Sequence, residues 1–137
     1  MKDVLKAKEL LKDEKTLVFV KNDKIIDSTL SGVKPLIGFL SDGVDLNGFS
    51  LADKIVGKAQ AMLACKAGIV EVYAKIMSKA GEEILKKNNI PYSYDTLVDE
   101  IINRKGDDIC PMEKTVKDIN DLDEAYKALK EKVLALG

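Results

Sequence analysis

From Ile69 to Met77 the chain alternates its side chains with a period of two. Val70, Val72, Ala74 and Ile76 share one face, while Glu71, Tyr73, Lys75 and Met77 share the other. That period predicts a β-strand. Segments of helical period flank it. Ahead of it, Ile55, Ala59, Met62 and Leu63 form the apolar stripe of a helix expected over roughly 51–66, with Ser50 and Asp53 as a short capping pair and Gly68 as its stop. Behind it, a helix is expected over about 79–88, ending at Asn88-Asn89. Strands joined by long helical connections bury their apolar faces only when helices cover a sheet, which restricts the chain to a layered α/β architecture.

The remaining elements fit that frame. An amphipathic helix is expected over 2–13, then a compact strand at Leu17-Val18-Phe19-Val20. Asn22 and Asp23 tolerate the left-handed conformation of a tight hairpin, so Ile25-Ile26 reads as the return strand. Val33 to Leu40 reads as a short helix with Pro35 in its first turn, and Asp42-Gly43 and Asn47-Gly48 mark a loop. Pro91-Tyr92-Ser93 reads as a brief strand, and Leu97, Val98, Ile101 and Ile102 as the stripe of a helix running to Arg104. Lys105-Gly106-Asp107-Asp108 is a polar loop. Leu122, Tyr126, Leu129, Val133 and Leu136 stripe the closing helix. No repeat or linker divides the chain, so residues 1–137 are expected to form one domain.

Composition excludes several function classes. The 22 basic residues nearly cancel the 23 acidic ones, and seven aromatics are spread over 137 residues without a basic run, which is no nucleic-acid footprint. No apolar run approaches the ~20 residues that span a bilayer. The N-terminal Met1-Lys2-Asp3-Val4-Leu5-Lys6 lacks the apolar core of a signal peptide, and two cysteines 45 positions apart suit reduced thiols, so a cytoplasmic location is expected. The chain holds no histidine, which removes the usual acid/base group at neutral pH and the commonest zinc ligand.

Cys110-Pro111-Met112-Glu113 places a thiol where a helix begins. Pro favours the first turn, and Glu113 can reach back to the Cys110 backbone N–H as a capping box. Unpaired N–H groups and the helix dipole favour thiolate there, whereas Asp107 and Asp108 oppose it. Cys110 is thus either a nucleophile or a small packed residue at a helix start. Glu113 is either an acid/base group or a cap. Cys65 reads as packing.

The segments Ser31-Gly32-Val33-Lys34-Pro35-Leu36, Ala52-Asp53-Lys54-Ile55-Val56-Gly57-Lys58-Ala59, Val70-Glu71-Val72-Tyr73-Ala74, Ile102-Asn103-Arg104 and Cys110-Pro111-Met112-Glu113-Lys114, in this order over about residues 30–116, resemble the family catalogued as domain of unknown function 1893. The resemblance implies a three-layer α/β/α sandwich with a mixed sheet, cytidine-deaminase-like; the family's biochemical role is not established. Zinc deaminases carry a His-x-Glu (or Cys-x-Glu) at one helix start and Pro-Cys-x-x-Cys at another. By element order those starts are expected at the helix carrying Asp53-Lys54 and near Ser78-Lys79-Ala80-Gly81, and neither has the required residues. No metal site and no cofactor is expected.

Asp53 and Lys54 then stand where such a fold carries its site residues, with a helix cap as the plainer reading of Asp53. Lys54 and Lys58 would share a helical face and could hold an anionic group, or simply be solvated. Gly57, costly inside a helix, implies close packing or space for a ligand. Asn103-Arg104 could fork onto a carboxylate or phosphate, and Ser78 lies at the C-terminal end of the central strand, the edge at which open α/β sheets bind ligands. Three functions follow. The first is a site for a small anionic or nucleotide-like ligand, with or without catalysis, in which Cys110, Glu113 and Asp53 are the chemical groups and Lys54, Lys58, Ser78 and Arg104 the binding groups. The second is a thiol enzyme acting through Cys110, with Glu113, Lys54 or Lys58 as base. The third is a non-enzymatic interaction protein whose closing helix packs on its own core or, as a homodimer, on a second copy.

Overall fold

A computed structural model describes residues 2–136, so Met1, where the N-terminal reading begins, and Gly137 lie outside it. In chain order the elements are α1 (Asp3–Leu10), β1 (Leu17–Lys21), β2 (Lys24–Ser28), α2 (Lys34–Ser41), β3 (Ser50–Val56), α3 (Lys58–Ala67), β4 (Glu71–Ser78), α4 (Lys79–Lys87), β5 (Tyr92–Val98), α5 (Pro111–Val116) and α6 (Leu122–Leu136). The sheet runs β2-β1-β3-β4-β5. β1 pairs antiparallel with both β2 and β3, and β3, β4 and β5 are mutually parallel, so the sheet is mixed. Asn22 takes φ of 56° in the tight turn that sets Lys21 opposite Lys24.

Helices cover both faces. On one, Val4 and Ala7 of α1 pack on Val18, Val20, Ala52 and Tyr73. On the other, α2, α3, α4 and α6 close the main core over Phe19, Leu51, Val72 and Met77. Most of the α6 stripe packs on this core: Leu129 is fully buried, as is Ala125, and Leu122, Tyr126 and Val133 pack against them, while Leu136 is exposed. The three-layer α/β/α sandwich with a mixed sheet is the architecture that the resemblance implied.

Two expected helices are corrected. Residues 51–66 do not form one helix, because 50–56 is the strand β3 and the helix begins only at Lys58. Leu51, Ala52 and Val56 are buried without alternating because a central strand is covered on both faces, and such an apolar run mimics helical spacing. Leu51 sits in the main core and Ala52 in the α1 core. Ser50 and Asp53 are therefore strand residues and cap nothing. Residues 97–104 are not helical either. Thr96, Leu97 and Val98 pair with Ile76, Met77 and Ser78 of β4, so main-chain pairing along the sheet edge outweighs a local helical stripe. Elsewhere the boundaries move little: α1 stops at Leu10, and Gly68 ends α3 in the left-handed conformation (φ 83°).

The inward alternation breaks once in each of two neighbouring strands at the same level. Leu51 and Val56 lie in the same core although an odd number of positions apart, as do Ala74 and Met77, and Val56 pairs with Met77. Asp53 sits at that break, with Ile55 half exposed two residues on.

Candidate functional site

The break in β3 and the start of α3 form the inner wall of a cleft of about 970 Å³. Its other sides are the Ser31–Lys34 entry to α2, the start of α5, the end of α6 at Leu136, and an arm over residues 101–110. The arm is a small antiparallel excursion after β5. The Asn103 N–H donates to the Asp108 carbonyl at 2.8 Å, the Cys110 N–H donates to the Ile101 carbonyl at 2.9 Å, and Ile102 bridges to Ile109. Gly106 turns its tip with φ of 75°. Across the mouth, an Arg104 guanidinium N–H donates to the Ser31 hydroxyl. The cleft thus opens at the C-terminal end of β3, where open α/β sheets place ligands.

Asp53 and Gln60 form the polar part of the inner wall, 5% and 4% exposed. The Gln60 Nε2 donates to Asp53 Oδ2 at 2.7 Å, and the Ile55 N–H donates to Oδ1 at 3.2 Å. Burial pushes the Asp53 carboxyl up to about 7; the hydrogen bonds from Gln60, Ile55 and Lys54 oppose that rise without cancelling it. The Gln60 Oε1 is buried with no hydrogen-bond partner. Turning the amide over moves the problem without solving it, because Nε2 then becomes the unmet atom.

Glu113 does not cap its own helix. Its carboxylate crosses to α3, accepting from the Lys58 N–H (Oε1, 2.8 Å) and the Ala59 N–H (Oε2, 2.8 Å). A bidentate carboxylate on the first turn satisfies orphan donors and the positive end of the helix dipole together. Gly57 makes room for it: a Cβ there would lie 2.6 Å from Glu113 Cδ and collide with Oε1. Gly81, in the first turn of α4, is pressed on the same corner, a Cβ there meeting the Val56 carbonyl at 2.9 Å. The closeness that Gly57 suggests is thus packing against Glu113.

The cleft gathers five of the seven sequence-selected residues: Asp53, Lys54, Arg104, Cys110 and Glu113. Lys58 and Ser78 line a second cavity of about 540 Å³, to which Glu113 also contributes. Lys54 and Lys58 do not share a helical face, since Lys54 belongs to β3. Lys54 Nζ donates to the Asp13 carbonyl and Lys58 Nζ to the Lys117 carbonyl, each at 3.0 Å. Ser78 is the α4 cap, its hydroxyl accepting from the Gly81 N–H at 3.0 Å. Cys110 is half-buried at the start of α5 and its side chain caps nothing. Burial pushes the Cys65 thiol up to about 11, in keeping with packing. The residue missed in sequence is Gln60. Its signal was a long polar side chain inside Ala59-Gln60-Ala61-Met62-Leu63-Ala64, a run that otherwise only a core would hold.

Among the described residues no group of three or more His, Cys, Asp or Glu side chains is placed to hold a metal ion. The true helix start after β3, Gly57-Lys58-Ala59-Gln60, carries no His-x-Glu, and Ser78-Lys79-Ala80-Gly81 carries no Cys-x-x-Cys. Among the same residues no helix is long and apolar enough to cross a membrane.

Fold and site together define a mixed-sheet α/β sandwich with a lateral cleft and, among the described residues, no zinc constellation. The chain belongs to the DUF1893 family, domain of unknown function, whose model matches residues 6–133. The crystal structure of a DUF1893-family protein from Thermotoga maritima, TM1506, is similar over 100% of this chain and 92% of its own, with 28% identity and a TM-score of 0.82. A dCMP deaminase from the cyanophage S-TIM5, in apo form, aligns over 58% of this chain and 79% of its own at 15% identity and a TM-score of 0.45. Comparison with curated proteins gives no match.

Proposed function

We propose that the protein binds a small, nucleotide-like or otherwise anionic ligand in the 970 Å³ cleft, with its polar inner end at Asp53 and Gln60. The observation that carries this reading is the unmet Gln60 Oε1 beside a buried carboxylate. A buried polar atom without a partner costs about 1–3 kcal/mol, and a ligand group that reaches it recovers that loss on binding. Val33, Ile55, Ile101 and Met112 offer apolar wall for a base-like or aliphatic body. Lys34, Lys54, Arg104 and Lys105 supply the charge for an anionic end.

Native mass spectrometry of freshly purified protein, followed by nuclear magnetic resonance titration with AMP and CMP, tests it. The expected result is a co-purifying small molecule or a saturable shift of the Gln60 side-chain amide together with Lys54 and Arg104. A bare chain whose cleft resonances ignore every probe refutes the reading.

Cys110 lines the same cleft, and that placement supports a second reading in which it acts as a nucleophile. Both Glu113 oxygens are held by α3 and Lys58 faces the other cavity, which leaves Lys54 as its base. Ligand-protected alkylation of Cys110 by iodoacetamide, steepening with pH below the ordinary thiol range near ~8.5, supports it, and an ordinary titration opposes it.

A further inference from the structure

The two inner-wall groups are both acceptors that lack what acceptors need. Buried carboxylates are ordinarily paired with a cation, because neutral donors recover only part of the desolvation cost. Asp53 receives only neutral donors, the Gln60 amide and the backbone N–H groups of Ile55 and Lys54. The cations that line the cleft nearby make no ion pair with it: Lys54 Nζ donates to the Asp13 carbonyl and Arg104 to the Ser31 hydroxyl, neutral partners that leave both charges available to a ligand. The acids are spent. Glu113 is held by α3 and Asp108 by Lys114, while Asp107, Lys34 and Lys105 stand exposed at the mouth. Beside Asp53, joined to it by a 2.7 Å hydrogen bond, lies the unmet carbonyl oxygen of Gln60.

We infer that the inner end of the cleft receives a protonated nitrogen of the ligand, an ammonium or a guanidinium, held between the Asp53 carboxylate and the Gln60 carbonyl. The inference rests on the cleft being the ligand site. A hydroxyl would satisfy one acceptor and leave the charge unpaired, and an anion would face a carboxylate. A divalent metal needs about six oxygens, and one carboxylate beside one amide is too thin a set. With the apolar walls between this end and the lysines at the mouth, the ligand is zwitterionic: a cationic nitrogen inside, an apolar body, and an anionic group outside.

The test is a resonance titration of the full chain with n-butylguanidinium, its neutral counterpart n-butylurea, and AMP. n-Butylguanidinium is expected to move the Gln60 side-chain amide, to bind at least about tenfold tighter than n-butylurea, and to weaken by about a hundredfold from pH 8 to pH 5 as Asp53 takes up its proton. Asp53→Asn should abolish that preference, and Gln60→Met, which leaves the carboxylate in place, should reduce it. If AMP moves the mouth residues while n-butylguanidinium leaves Gln60 unmoved, or binds no better than n-butylurea, the cation inference falls and the site stands. If no probe perturbs the cleft, both fall. Retention of the preference in a folded Asp53→Asn chain also overturns the inference.

Discussion

Asp53→Asn should make the protein more stable in alkali and abolish one component of its pH dependence. Asp53 is 5% exposed, and burial raises its carboxyl from 3.8 to about 7. Because the folded state binds this proton more tightly than the unfolded state, protonation stabilises the fold. That stabilisation is complete below pH 4, is lost as pH rises towards 7, and is absent above it. A rise of this size is worth about 4 kcal/mol at the two extremes, a large share of the roughly 5–15 kcal/mol that holds such a domain together. Asparagine keeps the shape and can accept from Ile55, while a turned Gln60 amide gives it Oε1 as acceptor, so the variant should fold. The assay is urea unfolding of wild type and Asp53→Asn at pH 4 and pH 8. The other titrating groups cancel in the difference, which should move by about 4 kcal/mol in favour of asparagine between the two pH values. A difference independent of pH, or one that moves the other way, refutes the burial argument.

The Glu113 carboxylate on α3 makes two charge-assisted bonds, so Glu113→Ala should cost about 2–3 kcal/mol in urea unfolding. Gly57→Ala should cost more than about 2 kcal/mol by driving a methyl into that carboxylate; in Gly57→Ala/Glu113→Ala the two losses should sum to less than their separate values, and strict additivity would show that the two residues do not meet. Ser78→Ala removes the α4 cap and should cost about 1 kcal/mol, with faster amide exchange confined to the first turn of α4. Arg104→Ala should leave global stability unchanged and speed amide exchange in residues 101–109, since it cuts the tie between the arm and Ser31; unaltered exchange there would show that the tie does not hold the arm.

Elements with local causes were legible in the sequence. The β1–β2 turn follows from Asn22, the end of α3 from Gly68, and β4 from its alternation. The two corrected helices share one cause, because residues 51–56 and 97–98 lie in strands whose partners are distant in sequence. β3 is buried on both faces by α1 and α3, which erases the period of two, and β5 takes its conformation from β4. The site suffered in the same way. Placing Asp53 on a helix made it a cap and set Lys54 beside Lys58, whereas on a strand it faces Gln60 across the β3–α3 corner. Residue type alone marks Asp53, Lys54, Arg104, Cys110 and Glu113, but the groups that each one touches depend on the register of the sheet.

Glu113 bears on which charge goes where in the cleft. The first turn of a helix is a ready-made anion site, and α3 presents its first turn beside the inner wall. Here the chain fills that position with its own carboxylate, and the glycine at Gly57 leaves room for both oxygens to seat. An anionic ligand group therefore has no claim on α3 while Glu113 is in place. What remains for it are the lysines and Arg104 at the mouth, and what remains inside is a pair of acceptors at Asp53 and Gln60. The polarity of the cleft, basic outside and acceptor-rich within, thus follows from one long-range hydrogen-bonded pair between α5 and α3, a contact that no local reading of Cys110-Pro111-Met112-Glu113 could supply.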